Sequence, residues 1–142
     1  MANEVKTYSP DRVKVIVGVA ALSGFADGTF VDIEPLGDGV TSEAGADGEV
    51  ARAMSLDQRH TITVTLQQTS RSNDILSALH LADQVSGGDG AVPVAVTDLR
   101  GTTLFGGTGW VVKQAKATFA KGLEAREWTL EAVGLFHNGG TN

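Results

Sequence analysis

Apolar and polar residues alternate with period two over several short stretches of the chain. In HTITVTLQQ, Ile62, Val64 and Leu66 fall on one face and Thr61, Thr63 and Thr65 on the other. That is the pattern of a half-buried strand, because successive side chains of a strand point to opposite faces. REWTLEAVGLF repeats it, with Trp128, Leu130, Ala132 and Phe136 against Glu127, Thr129 and Glu131. Nearer the start, Val13, Val15, Val17 and Val19 alternate with Lys14, Ile16 and Gly18, and TFVDIEP resumes the period after Asp27-Gly28. Asp-Gly accepts the positive φ of a tight turn, so these two runs are expected to pair as a hairpin. AVPVAVTDL, TTLFGG and GWVVKQAKATFA supply further strands. TSRSNDILSALHLADQV changes the period: Ile75, Leu76, Leu79 and Ala82 make one helical stripe, with Ser70 or Ser72 as a cap and Asp74 near the positive helix end. The pattern predicts seven or eight strands and one helix.

Composition sharpens this picture. The 18 glycines among 142 residues are nearly twice the usual share of about 7%, and they lie among Thr and Val without low-complexity regularity, which points to a turn-rich β protein. With no linker or internal repeat, one domain spanning residues 1–142 is expected. A formal net charge of −6, from 17 acidic and 11 basic residues, argues against a surface built to grip phosphates. The absence of cysteine removes disulfides and thiolate metal sites and suits a reducing cytosol. MANEVKTYSPDR is charged without an apolar core, and the longest uncharged runs, such as residues 15–26, fall short of the roughly 18 needed to span a bilayer. A soluble, uncleaved chain without membrane insertion is the expectation.

The remaining question is whether the repeated Asp-Gly pairs mark a ligand loop. Asp38-Gly39, Asp47-Gly48 and Asp89-Gly90 follow neither G-x-G-x-x-G nor G-x-x-x-x-G-K-[ST], and Asp38, Glu43, Asp47 and Glu49 lack the alternate spacing of a calcium loop. Turns are the simpler reading. His60, His80 and His137 share no metal-ligand spacing and there is no G-x-S-x-G elbow, so no metal, cofactor or catalytic residue is expected. Glu127 and Glu131 lie about 13 Å apart along one strand face, too far for paired glycosidase carboxylates. Trp110 and Trp128 could stack on sugars, but their apolar flanks favour core packing.

Three segments in order, GADGEV at 45–50, TITVTLQQTS at 61–70 and SNDILSAL at 72–79, followed by EWTLEA at 127–132 and preceded by GFADGTFVDIE, resemble the tail tube proteins of contractile-tailed bacteriophages. Arg71 departs from the pattern, which often places Pro at the first helical position. The resemblance implies a mainly β fold, two packed antiparallel sheets as a β-sandwich or partly rolled barrel, with one flanking α-helix. It also implies a structural virion protein rather than an enzyme. Its hexameric rings would stack into the inner tube of the tail, assembled in the host cytoplasm, with DNA passing through unbound. Sheath, tube initiator or baseplate, tape measure and tail terminator are the partners it implies. The tube protein of a secretion or phage-derived contractile injection apparatus is the alternative, and a monomeric carbohydrate-binding sandwich a more distant one.

On that basis three groups of residues acquire expected roles. Residues 36–48, with Gly37, Asp38, Gly39, Glu43 and Asp47, carry four glycines and little to bury, and are expected to be a mobile loop that orders against the next ring. Glu127 and Glu131, with the threonine face of residues 61–65, are candidates to line the lumen or the outer surface. Ile75, Leu76 and Leu79 are expected to pack the helix on the sheet.

Overall fold

A computed structural model describes residues 5–140. After a 3₁₀ turn at Pro10–Arg12, the chain forms β1 (Val13–Val17), β2 (Ala20–Ala21), β3 (Val31–Pro35), β4 (Val40–Ala44), β5 (Val50–Met54) and β6 (Arg59–Leu66). There follow α1 (Ser72–Ser86), β7 (Val92–Asp98), β8 (Leu104–Lys113) and β9 (Arg126–His137). Seven strands make one antiparallel sheet in the order β2-β1-β7-β8-β9-β6-β3, and β4 and β5 make a separate two-stranded ribbon. The protein is thus mainly β with one α-helix among the described residues, and the large sheet is curled into a half-barrel. Val13 of β1 and Val31 of β3, from opposite flanks of the sheet order, line the same two surface clefts. Of the two expected forms, the partly rolled barrel describes it better than flat layers. No α-helix among the described residues is long and apolar enough to cross a membrane.

The alternating runs fill the concave side. Ile62, Val64 and Leu66 of β6, Trp128, Leu130 and Ala132 of β9, Phe105 and Val111 of β8, Val94 and Val96 of β7, and Val15 and Val17 of β1 are all buried together with Leu76 of α1. These apolar positions at period two share one core, as burial of one sheet face requires, whereas Val19, the last of the first run, falls in the turn after Val17 and is fully exposed. Where β8 and β9 cross, Gly107 pairs with Gly134, and a Cβ on Gly134 would stand 2.2 Å from the Gly106 carbonyl oxygen. This close approach leaves room for no side chain.

Several sequence expectations change. The run beginning at Val13 does not pair with TFVDIEP. It turns through Gly18, at φ +67°, and Val19 into β2, and pairs on its other side with β7. A glycine with positive φ suits the first central position of a two-residue hairpin. Asp27-Gly28 does form a turn, with Gly28 at φ +93°, but β3 goes to β6 instead. TTLFGG and the first part of GWVVKQAKATFA fuse into β8 and the rest is irregular, while the unexpected β2, β4 and β5 bring the described residues to nine strands against the expected seven or eight. Trp128 is a core residue, but Trp110 sits half-buried on the opposite face, beside Glu131.

Candidate assembly surfaces

The first surface is the β4–β5 ribbon. It contradicts the expected mobile loop at residues 36–48, because Val40–Ala44 pairs in full register with Val50–Met54. The turn between them is closed by Gly45 and Gly48 amides donating to the Glu49 and Gly45 carbonyls at 2.8 and 2.9 Å. The Asp47 carboxylate accepts the Glu49 amide at 3.1 Å, a side-chain mimic of a backbone turn. All ten strand residues are exposed. Opposite residues share a face, so Val40, Ala44, Val50 and Met54 lie together with Ser42 and Arg52, and Thr41, Glu43, Ala51 and Ala53 lie on the reverse. Gly37, Asp38 and Gly39 form its root, where the Ser55 amide donates to the Gly39 carbonyl at 2.6 Å. There Arg59 grips Asp57 with two hydrogen bonds of 2.9 and 3.0 Å. Those bonds hold the Asp57 carboxyl below the usual carboxylate range and push Arg59 up.

The second surface is the convex face of β3, β6 and β9. The β6–β9 register sets Thr61 opposite Glu131, Thr63 opposite Thr129 and Thr65 opposite Glu127. The β3–β6 register adds Asp32 opposite Thr63 and Glu34 opposite Thr61. Threonine therefore separates every acid from the next across the strands, and no two carboxylates of this field face each other directly, an arrangement that avoids cross-strand repulsion. Arg59 lies 3.7 Å from Glu131 at one border, and Lys113 pairs with Thr129 at another. Glu127 and Glu131 thus stand in one field as expected. Asp32 and Glu34 were missed: the alternation of TFVDIEP set them on a polar face, but nothing local showed that this strand joins β6.

The third surface is the segment between β8 and β9. An irregularity in the β8–β9 register between Val111 and Lys113 releases the chain into the irregular residues 114–125. The segment is tethered at three points. Ala115 packs on the core, the Glu124 amide donates to Gln68 Oε1 at 3.1 Å, and the Arg126 guanidinium lies 5.5 Å from the Phe119 ring centre.

Helix α1 is packed by a different set than its stripe suggests. Ser72, Asn73 and Leu76 are buried, Leu79 is partly buried against the core, Ile75 is half-buried and Ala82 exposed. Ser70, one of the two expected caps, accepts the Ser72 amide through its Oγ at 3.2 Å, while Arg71 holds the N-cap position with no side-chain cap bond and with φ −66°. That is the φ a proline would preset, so the departure at Arg71 keeps the local geometry. Ser70 and Ser72 also bind the segment before Phe25, the Ser23 amide donating to Ser72 Oγ at 2.9 Å and the Ser70 hydroxyl to the Ser23 carbonyl at 2.5 Å. His60 is buried edge-on against Phe105 and Phe136, and the His80 ring pairs through Nδ1 with the Val111 carbonyl at 3.2 Å.

Comparison with known proteins identifies relatives of this chain. The sequence profile of the family described as the bacteriophage PhiTE tail tube protein matches residues 15–137. Structural protein ORF10 of Pseudomonas phage KPP10 is 30% identical, over 99% of this chain and 86% of that protein.

Proposed function

The chain belongs to the bacteriophage tail tube protein family, and from that premise we propose that it forms hexameric rings stacked into the inner tube of a contractile tail, through which DNA leaves the particle. The observation that carries this reading is the ribbon. A two-stranded hairpin is at best marginally stable in water, and this one buries none of its ten strand residues within its own chain. Its apolar face needs another surface, and stacked copies offer one in every ring. The large sheet has the same need, since it ends in a two-residue strand, β2, and in β3, whose second edge pairs with no strand among the described residues. Pairing between neighbours in a ring satisfies such edges.

The acidic convex field suits a lumen. Asp32, Glu34, Glu127 and Glu131 spaced by threonines give a wall that repels phosphate and offers DNA no base-reading contacts. In this reading the sheath, a tube initiator or baseplate, a tape measure and a terminator are the partners, and the protein's role is structural rather than catalytic.

Excising the ribbon tests this. Its root is already closed by the hydrogen bond from Ser55 to Gly39, so Val40–Met54 can be replaced by an Asn-Gly turn. The shortened subunit is expected to keep its unfolding midpoint and to sediment without forming tubes, under conditions where the intact chain forms them. Tubes of normal length from the shortened chain would contradict the reading.

A further inference from the structure

The Asp-Gly pairs carry a chemistry beyond turning the chain. The nitrogen of the glycine can attack the carboxyl carbon of the aspartate before it, and glycine, having no side chain, leaves that path open. There are four such pairs, Asp27-Gly28, Asp38-Gly39, Asp47-Gly48 and Asp89-Gly90. The fold treats them differently. Gly48 donates its amide to the Gly45 carbonyl at 2.9 Å, while the Asp47 carboxylate accepts the Glu49 amide at 3.1 Å. Gly90 donates its amide to Asp83 Oδ1 at 3.0 Å. In both pairs the attacking nitrogen is drawn to another acceptor. At Asp38-Gly39 the bonds fix the two backbone carbonyls, which accept the Val40 and Ser55 amides at 2.9 and 2.6 Å, and none joins the carboxyl to the Gly39 amide. At Asp27-Gly28 the reacting groups meet. The Gly28 nitrogen lies 3.1 Å from Asp27 Oδ1, so the carboxyl carbon bonded to that oxygen is held beside it, as in a near-attack contact. Both residues are exposed to water, and the space where a Gly28 side chain would stand is open. The loop is pinned at each end: the Ala26 amide donates to the Thr65 carbonyl and the Thr65 amide to the Phe30 carbonyl, both at 3.0 Å, with the Phe25 and Phe30 ring centres 5.0 Å apart.

We propose that Asp27 is a site of spontaneous aspartyl-to-isoaspartyl isomerisation in the folded subunit. The Gly28 nitrogen forms a bond to Asp27 Cγ. Its proton passes to the carboxyl oxygen, which takes a second proton from solvent and leaves as water. Water then opens the five-membered imide. Addition at Cγ restores Asp27; addition at the main-chain carbonyl breaks the original peptide bond, leaves the chain running through Cγ and frees the main-chain carboxyl. The two steps together neither gain nor lose mass, and solvent is the only co-reactant. The product carries one more backbone carbon inside a loop whose ends are fixed on Thr65, so the added length falls on Phe30 and the start of β3. Gly28, Thr29, Phe30 and Val31 line a cleft of about 390 Å³ with Tyr8 and Val13, and the modification reshapes it. The reaction needs no assembly. In the ring arrangement proposed above, it would mark aged subunits at the free edge of β3.

Ageing the purified full-length chain tests the site. Folded and urea-unfolded samples are kept warm at neutral pH and digested, and each Asp-Gly peptide is scored for isoaspartate by fragmentation that distinguishes the two linkages. Relative to its own rate in urea, position 27 of the folded chain should lead positions 47 and 89 by at least about tenfold. Asp27→Asn should hasten the conversion, because ammonia leaves a side-chain amide more readily than water leaves a carboxylate, and the peptide then shows the mass change from amide to acid. Isoaspartate spread evenly over the four pairs of the folded chain, or led by another pair, would overturn the proposal. So would its absence from position 27 while the unfolded chain forms it there, or an Asp27→Asn chain that keeps its amide.

Discussion

Asn73 explains why a polar residue occupies the buried face of α1. Its Oδ1 accepts the Trp128 indole N–H at 2.8 Å, and its Nδ2 donates to the Gln67 and Ser70 carbonyls at 2.9 and 3.0 Å. One side chain thus satisfies the core tryptophan and ties the helix start to the end of β6, and a network so satisfied specifies a single packing. The helical stripe read from the sequence could not reveal this, since periodicity ranks residues by apolarity and treats Asn73 as solvent-facing. The apolar side of the helix is correspondingly narrower than the stripe. Leu76 is fully buried and Leu79 only partly. Leu76→Ala is therefore expected to cost about 2–5 kcal/mol, and Leu79→Ala less than about 2 kcal/mol, in urea unfolding of the unassembled subunit. Equal losses at the two positions would mean that the helix sits rotated from the packing described here.

At the scale of elements, legibility followed locality. Strands β6 and β9 were visible from alternation alone, because both bury one face on the same core and their threonines and glutamates occupy the other. The partner of β1 was not visible. Asp27-Gly28 is a strong local turn signal, yet β1 pairs with β7, some eighty residues on, and that choice is made by shared burial of Val15, Val17, Val94 and Val96. The ribbon escaped for the opposite reason: its strands bury nothing in the subunit, so they leave no apolar rhythm, and the glycines that flank them resemble those of a loop. Its root supplies a pH test. Hydrogen bonds from Arg59 depress the Asp57 carboxyl. A depressed acid contributes stability above its unfolded value, about 3.9 for Asp, and the contribution is lost as pH falls through the folded value. Asp57 followed by NMR should titrate below about 3.9, and the Arg59 Nε resonance should move with it. A midpoint at the ordinary value would mean the pair is open in solution.

The whole molecule is a curled sheet whose concave side is closed by its own core and helix, and whose convex face and ribbon bury little within the subunit. This division follows from the alternation of side chains. Once Ile62, Val64, Leu66, Trp128 and Leu130 take the core, the threonines and acids of the same strands have no choice but the outer surface. Family membership is that of a tail tube protein, and the arrangement we propose gives each remaining surface a role: the acidic field toward the channel, the open edges toward neighbours in the ring, the ribbon toward the next ring. Cryo-electron microscopy of the purified, polymerised protein tests all three at once. The expected result is a hollow tube of stacked six-membered rings, with Asp32, Glu34, Glu127 and Glu131 on the inner wall and the ribbon crossing from each ring to the next. A solid filament, a tube with that acidic field outside, or a protein that stays monomeric at every concentration would contradict the account.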